Sequence, residues 1–584
     1  MRANVRGPLV LACAVALLPT AAPALIDSNL AVSPATQANG GGCYGTPLVP
    51  GLLDMLILVN PEWAAVDTRA HTPPVADPIT LHGTVVLAKI NEGGDLPADH
   101  EGDDQNTFIT VDPADLGFVA TGNVGRHGEE GGQLEVEWEY PKYPLFAWGG
   151  RGDRLTAVGR WIWDCGHPDP DPPGSCSVTL SQPCAIDGDC KPPTCAGCDP
   201  AGTETCVGVT WNYHSELHPP QAIAVTRTGG YKVVHGAVRF GRRSTRTDVW
   251  ISPDGGGAGD ACLVSHISNP VNLLNTECFP LHQPLADVNA ADFAFDIPLP
   301  PRPRGAKHAP RIRVLDRTPP SFRRPRALAT FVDGPPPRVH VVVKMAKADA
   351  RGRFPSKVGK TILAAWRPDP TPVTHLQVQV TAIEIVNPLK PVTPAIAPLK
   401  RCEVSAADCA TTPCPLPQGC LSLGGTVRGW EVFLEVNGDW QRLTNLYAVL
   451  DPVTVPQNLT YDLGVLAGDT LHLHATGHSL DCREGQLYGL SFKRALALYG
   501  FFPGATCLNS ESHNLGTFDI ALPGPDYGSG GSTASFVTSS VGGDGGHCSV
   551  RTDRLCLSDA DCPGESCVVT GGSYKLHYTI TQVR

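Results

Sequence analysis

The chain has 584 residues, with 62 glycines, 56 prolines, 21 cysteines and a formal net charge of −12. At about 100–200 residues per domain this length calls for roughly two to four domains. Glycine and proline punctuate nearly every run of ten, which excludes a helical bundle, and the acidic balance argues against a general nucleic-acid binder.

Arg2 and Arg6 precede an apolar run from Pro8 to Leu18, and Ala22-Pro23-Ala24 supplies the small residues of a cleavage site. This is the order of a secretory signal peptide over residues 1–24. The run is shorter than the roughly 20 residues a spanning helix needs. No later stretch is long and apolar enough either, so no transmembrane segment is expected. A lipid-bearing Cys13 is the alternative, but the apolar stretch before it is short. Losing Cys13 with the leader leaves an even number of cysteines, which reads as disulfides in an oxidising compartment. The expected location is secreted, periplasmic or cell surface. Residues 25–42 read as a flexible N-terminal segment.

Residues 43–228 offer five strand candidates: Ile79 to Ala88, Thr107 to Val111, Gln133 to Tyr140, Arg154 to Asp164 and Trp211 to Val225. Five strands in this order suit a small OB-like barrel. Along Gln133 to Tyr140, Leu134, Val136, Trp138 and Tyr140 alternate with Glu135, Glu137 and Glu139, the period of a half-buried antiparallel strand.

One constellation in this domain could do chemistry. On a strand, Asn212, His214, Glu216 and His218 share a face, and Trp211, Tyr213 and Leu217 share the other. The preceding strand ends in Asp164-Cys165-Gly166-His167. If the two strands pair, Asp164 and His167 come beside His218 or Glu216. Imidazoles and carboxylates are zinc-type ligands in number and kind, so a divalent metal, zinc or calcium, is the candidate cofactor. Asp164 or Glu216 would then be a fourth ligand, an orienting group or a general base. The competing reading is a half-exposed strand whose polar face carries a surface hydrogen-bond network. The blocks Gly159 to His167 and Glu216 to Pro220 resemble a recurrent block in uncharacterised secreted bacterial β-proteins, a resemblance that carries no activity.

A repeat is written in cysteine. Cys176, Cys184, Cys190 and Cys195 are separated by 7, 5 and 4 residues, and so are Cys548, Cys556, Cys562 and Cys567. Both copies place Asp-x-Asp before the third cysteine, at Asp187 to Asp189 and Asp559 to Asp561. Cys402, Cys409, Cys414 and Cys420 form a looser third copy. Units of about twenty residues hold almost no core and must be stapled, most simply by two internal disulfides. They resemble short Cys-x-Asp-x-Asp-Cys modules of secreted bacterial proteins, which imply no activity. Asp-x-Asp reads as an Asx-turn or as a calcium ligand pair. Each module sits between two strand signals, as an insert in a hairpin loop: 176–206, 402–420 and 548–567. The remaining local pairs are Cys262 with Cys278, Cys482 with Cys507 and Cys198 with Cys206, leaving Cys43 with Cys165.

Residues 229–373 mix strands with proline-rich connections. Val339 to Val343 reads as a central strand. A basic stretch over 301–326 holds nine lysines and arginines against one acid, Asp316. It reads as an anionic-polymer site or, with its prolines, as a solvated linker.

Residues 374–584 carry strand signals for a β-sandwich, among them the alternating runs Trp430 to Asn437 and Tyr574 to Thr581. Leu376-Gln377-Val378, Trp430 to Trp440 with Asn437-Gly438 at a turn, and Asp469-Thr470-Leu471 faintly resemble a calcium-dependent lipid-binding (C-two) sandwich. That family holds calcium among aspartates in two loops. Here one loop is a cysteine module and only Asp481 stands in the other. His472, His474 and His478 form a second, acid-poor histidine cluster. No serine-hydrolase elbow, phosphate loop, dinucleotide fingerprint or His-Glu-x-x-His helix occurs.

The chain therefore reads as an exported, disulfide-stabilised, all-β multidomain protein that binds an extracellular ligand or serves as a surface component, with no nucleic-acid partner. The alternative is a metal-dependent hydrolase centred on Asp164, His167, Glu216 and His218.

Overall fold

The computed structural model describes residues 25–33, 43, 63–66, 75, 78–92, 103–124, 133–138, 144–170, 174–179, 183–184, 190, 206–207, 211–233, 238–239, 243–252, 291–306, 308–352, 354–387, 429–443, 446–447, 453–466, 469–480, 511–521, 533–537, 541–542, 546–548, 555–556, 567–568 and 573–583. Strands dominate throughout. Among the described residues no helix is long and apolar enough to cross a membrane.

Five strands build the N-terminal barrel: β1 (Ile79–Glu92), β2 (Asp103–Val111), β3 (Leu134–Trp138), β4 (Arg154–Pro170) and β5 (Trp211–Val233). They pair in the order β1-β2-β3-β5-β4, and β4 returns to β1 to close the ring. Only the β3–β5 contact is parallel, with Glu135 beside Glu216 and Val136 beside Leu217. This is the strand order of an OB-like barrel. Alternation decides which side chains turn inward. Leu81, Ile109, Leu134, Val136, Trp138, Trp161, Trp163, Tyr213 and Leu217 form one buried cluster. The segment between β2 and β3 packs on it. Phe118 meets Trp161 edge-on with ring centroids 5.3 Å apart, and its carbonyl accepts from Trp161 Nε1 (3.0 Å) and Ser215 Oγ (2.8 Å).

The middle region is a second sandwich. The C-terminal half of β5 continues a sheet through β6 (Ser244–Ile251) to β8 (Arg311–Asp316) by way of β11 (Val358–Ala365). Facing it lie β7 (Phe293–Pro298), β9 (Ala327–Val332) and β10 (Arg338–Val343), with β10 in the centre. Ala222, Ala224, Val249 and Ile251 meet Phe293, Phe295, Val339, Val341 and Val343 between the sheets. Val339 to Val343 is thus a central strand. The basic stretch is not a solvated linker: β8 and the start of the turn into β9 are built from it. The expected boundary at 228/229 falls inside β5, so backbone pairing continues across it.

The C-terminal sandwich sets β12 (Val373–Asn387), β15 (Val453–Leu466), β18 (Thr533–Val537) and β19 (Ser573–Val583) against β13 (Gly429–Val436), β14 (Asp439–Arg442), β16 (Thr470–Leu480) and β17 (Glu511–Ala521). Leu376, Val378, Tyr461, Leu463, Leu576 and Ile580 pack across to Leu434, Val436, Leu471 and Leu473.

The two cysteine modules form ribbons of one register. Gly174 pairs with Cys184 and Cys176 with Cys206; Gly546 pairs with Cys556 and Cys548 with Cys567. Equal loop lengths between the first two cysteines give the equal register. The third strand differs: Cys206 takes the place in the first ribbon that Cys567 takes in the second. Cys176 and Cys190 are joined by a disulfide, their Cα atoms 5.4 Å apart. Cys43 is also disulfide-bonded. The leader at 1–24, the insert at 402–420, Cys195, Cys262, Cys278, Cys482, Cys507 and Cys562 lie outside the described residues, as do the side chains of Cys165, Cys184, Cys548, Cys556 and Cys567.

Candidate metal centre

Register explains which polar side chains meet. Parallel pairing sets Glu135 beside Glu216, so Glu137 stands beside His218 one step of the pleat further on. On the other flank of β5, Asp164 pairs with His214 and Ile162 with Glu216. From β2, Asn106 pairs with Glu137. Asn106, Glu135, Glu137, Asp164, His214, Glu216 and His218 therefore share the face opposite the apolar core.

That face is covered. His218 is 2% exposed, Glu216 5% and Glu137 7%, and Asp164 and His214 are buried as well. The half-exposed strand with a surface hydrogen-bond network is thereby corrected: alternation shows that these residues share a face, but not that the face meets water. Glu137, which strand periodicity places on a solvent side, is part of the cluster.

One potential ligand atom from each of Glu137, Glu216 and His218 lies within 4.8 Å of the others. His218 Nδ1 is 3.1 Å from Glu137 Oε2 and 3.9 Å from Glu216 Oε2. Asn106 Nδ2 donates to Glu137 Oε1 (3.2 Å) and to Glu135 Oε1, fixing both carboxylates on one side. Glu216 Oε2 is buried without a hydrogen bond. Burial, and after it the carboxylates of Asp164, Glu135 and Glu137, hold the Glu216 carboxyl well above the usual range, against the pull of His218. An unpaired carboxylate buried among others is costly, and a cation between Glu216, Glu137 and His218 relieves that cost.

The donor set discriminates between cations. Zinc bonds of 2.0–2.1 Å in a tetrahedron place ligand atoms about 3.3 Å apart, close to the 3.1 Å between Nδ1 and Glu137 Oε2, while Glu216 Oε2 at 3.9 Å would have to draw in. Calcium takes 6–8 oxygens, and an imidazole with two carboxylates does not provide them. Among the expected ligands, Glu216 and His218 converge. Asp164 and His214 face each other on the flank, and the side chain of His167 lies outside the described residues.

The second histidine cluster also changes character. His474 is buried with Nδ1 3.6 Å from Glu435 Oε2, so an acid is close after all. It belongs to a junction between the barrel and the C-terminal sandwich. Arg227 Nη2 lies 3.2 Å from Asp153 Oδ2, and Arg246 bridges Asp248 and Asp439 at 2.6 Å each. Trp148 meets Phe433 at a tilt and Trp440 edge-on, with ring centroids 5.0 and 5.3 Å apart, and Trp440 Nε1 donates to the Gly149 carbonyl at 3.0 Å.

Burial pushes Asp153 up to about 7; Arg227 opposes it, and Glu435 and Asp248 reinforce it. Unfolded, the same carboxyl titrates near 3.8. Between those values the folded state holds a proton that the unfolded state has lost, so stability falls as pH rises from about 4 to 7 and levels off above. Relative to Asp153→Asn, the wild type should lose stability over that window with a slope approaching about 1.4 kcal/mol per pH unit. Thermal melts of both proteins from pH 4 to 8 measure it; parallel curves would remove Asp153 from the account.

Comparison with family models, curated proteins and solved structures finds no match for this chain.

Proposed function

We propose that this is an exported multidomain β-protein that works by binding, in which the N-terminal barrel holds a zinc ion through Glu137, Glu216 and His218. The observation that carries the metal is the buried Glu216 Oε2, without a hydrogen bond, converging with a carboxylate and an imidazole nitrogen. Export is supported by the leader-like order of residues 1–24, by the even cysteine count after it and by the Cys176–Cys190 disulfide. The burial of all three ligands argues against a coordination position open to substrate, and a closed site would need a fourth protein ligand beside these three. The binding partner in this reading is an extracellular ligand or surface component.

Metal analysis of the purified, dialysed protein tests the ion. About one zinc per chain is expected, and Glu216→Gln or His218→Ala should abolish retention. A ligand at 100 times its Kd stabilises by about 2.7 kcal/mol, so chelation should lower the melting temperature by about 5–10 °C in a barrel of this size. No retained zinc, together with no shift when zinc is added back, overturns the proposal.

A further inference from the structure

Residues 291–366 hold 16 lysines and arginines against 5 aspartates, a surplus of 11 positive charges in a chain whose net charge is −12. The middle sandwich is thus a cationic body within an acidic protein. Its charges are also gathered in space. The turn from β8 to β9 lies along the segments that follow β10 and precede β11. Arg317 N donates to the Gly359 carbonyl (2.9 Å) and Lys344 N to the Arg326 carbonyl (3.0 Å). The Arg323 guanidinium donates to the Lys347 carbonyl, and Lys357 Nζ lies 5.9 Å from the Phe322 ring.

Four of the five aspartates are committed away from this face, and the fifth, Asp349, two residues beyond Lys347, accepts from Arg351 N. Asp292 takes Lys344, Asp316 takes Lys360, Asp333 takes Arg302 and Asp296 takes Arg338. Arg324, Arg326 and Lys347 are exposed, and with Lys357 they form no ion pair with any described residue. Pro319, Pro320 and Pro325 stiffen the turn that carries the arginines, so little ordering entropy is spent on binding.

We propose that this face, centred on Arg324, Arg326, Lys347 and Lys357, docks a flexible anionic polysaccharide. Arginine forks match carboxylate and sulfate groups bidentately, and a flexible chain can follow a patch confined to one sandwich. A stiff duplex, with one charge about every 1.7 Å, would run on over the acidic remainder of the protein. A lipid surface would need more apolar anchoring than Phe354, 44% exposed, provides here. The proposal is independent of the zinc site, which lies on the barrel.

Polygalacturonate and dextran sulfate are the probes, with neutral dextran, duplex DNA and phosphatidylglycerol vesicles as comparators, titrated against the full-length protein at rising salt. Binding of the two anionic polysaccharides that weakens with salt is expected, with none to dextran. The triple Arg324→Glu, Arg326→Glu, Lys347→Glu should weaken it at least tenfold. The matching Gln triple, which adds no repulsion within the sandwich, should weaken it in the same direction. Equal binding by wild type and the Gln triple, no polysaccharide binding at low salt, or tighter binding to DNA or vesicles would each overturn it.

Discussion

At pH 8 or above, where Asp153 is ionised, Arg227→Leu is expected to destabilise the protein by about 3–5 kcal/mol, the cost of removing one partner from a buried charge pair. Arg227 is buried; its Nη2 meets Asp153 at 3.2 Å and donates to the Trp148 carbonyl at 3.1 Å, and its Nη1 lies 3.8 Å from Asp439. Leucine fills part of the volume but leaves Asp153 without a close cation among the described residues and the Trp148 carbonyl without that donor. Lysine would not restore both contacts, because an ammonium is a point charge and not a fork. Arg227→Lys should fall between wild type and leucine. Combining Arg227→Leu with Asp153→Asn should recover part of the loss, since the stranded carboxyl is then absent. Urea unfolding of the four proteins measures this. A leucine variant within about 0.5 kcal/mol of wild type, inside the range of ordinary surface changes, would show that the junction does not hold the barrel to the C-terminal sandwich.

Gly150→Ala should be the second most damaging change, at about 1–3 kcal/mol for overpacking. A Cβ at this position would lie 2.6 Å from Glu435 Cδ and 2.9 Å from Gly438 Cα, with Glu435 Oε1 closer still. Glu435 cannot swing aside freely, because its Oε1 accepts from Gly438 N at 2.8 Å. Gly438 in turn sits at φ +80° against the Arg227 guanidinium, so the turn cannot retreat. Gly334, where an added Cβ meets nothing within 4 Å, is the control, and Gly334→Ala should be nearly silent. Equal melting temperatures for the two variants would mean that Glu435 and its turn yield easily.

Much of the barrel is legible in the sequence because alternation is a local property. Leu134, Val136 and Trp138 announce their shared face within five residues, and the order of five strands suffices to suggest an OB-like ring. The candidate site is legible only in half. Glu216 and His218 stand two apart on one strand, so the pleat alone brings them together. Glu137 joins them through a parallel pairing between segments separated by a cysteine module and the whole of β4, and no local signal encodes that pairing. Burial is equally non-local: Glu137 and Glu435 read as outward-facing partners of apolar neighbours, yet both are covered, by elements distant in sequence. The basic stretch misleads for a related reason. Its prolines suggest a linker, but proline is also compatible with the turns and strand ends that frame β8 and β9.

The long strand β5 has a consequence for ancestry and for cutting the chain. Within Trp211–Val233 it pairs with β3 and β4 in the barrel, then with β6 in the middle sandwich, and at Gly230 and Tyr231 with β15 of the C-terminal sandwich. One stretch of backbone is common property of all three units. A gene fragment ending near residue 228 would bare the flank of β5 that β6 occupies, an unprotected edge of the kind that recruits foreign strands. Shuffling such units as independent cassettes would break a ladder at every join. The architecture is therefore heritable only whole, and its variation is expected in the stapled inserts rather than in the order of its parts.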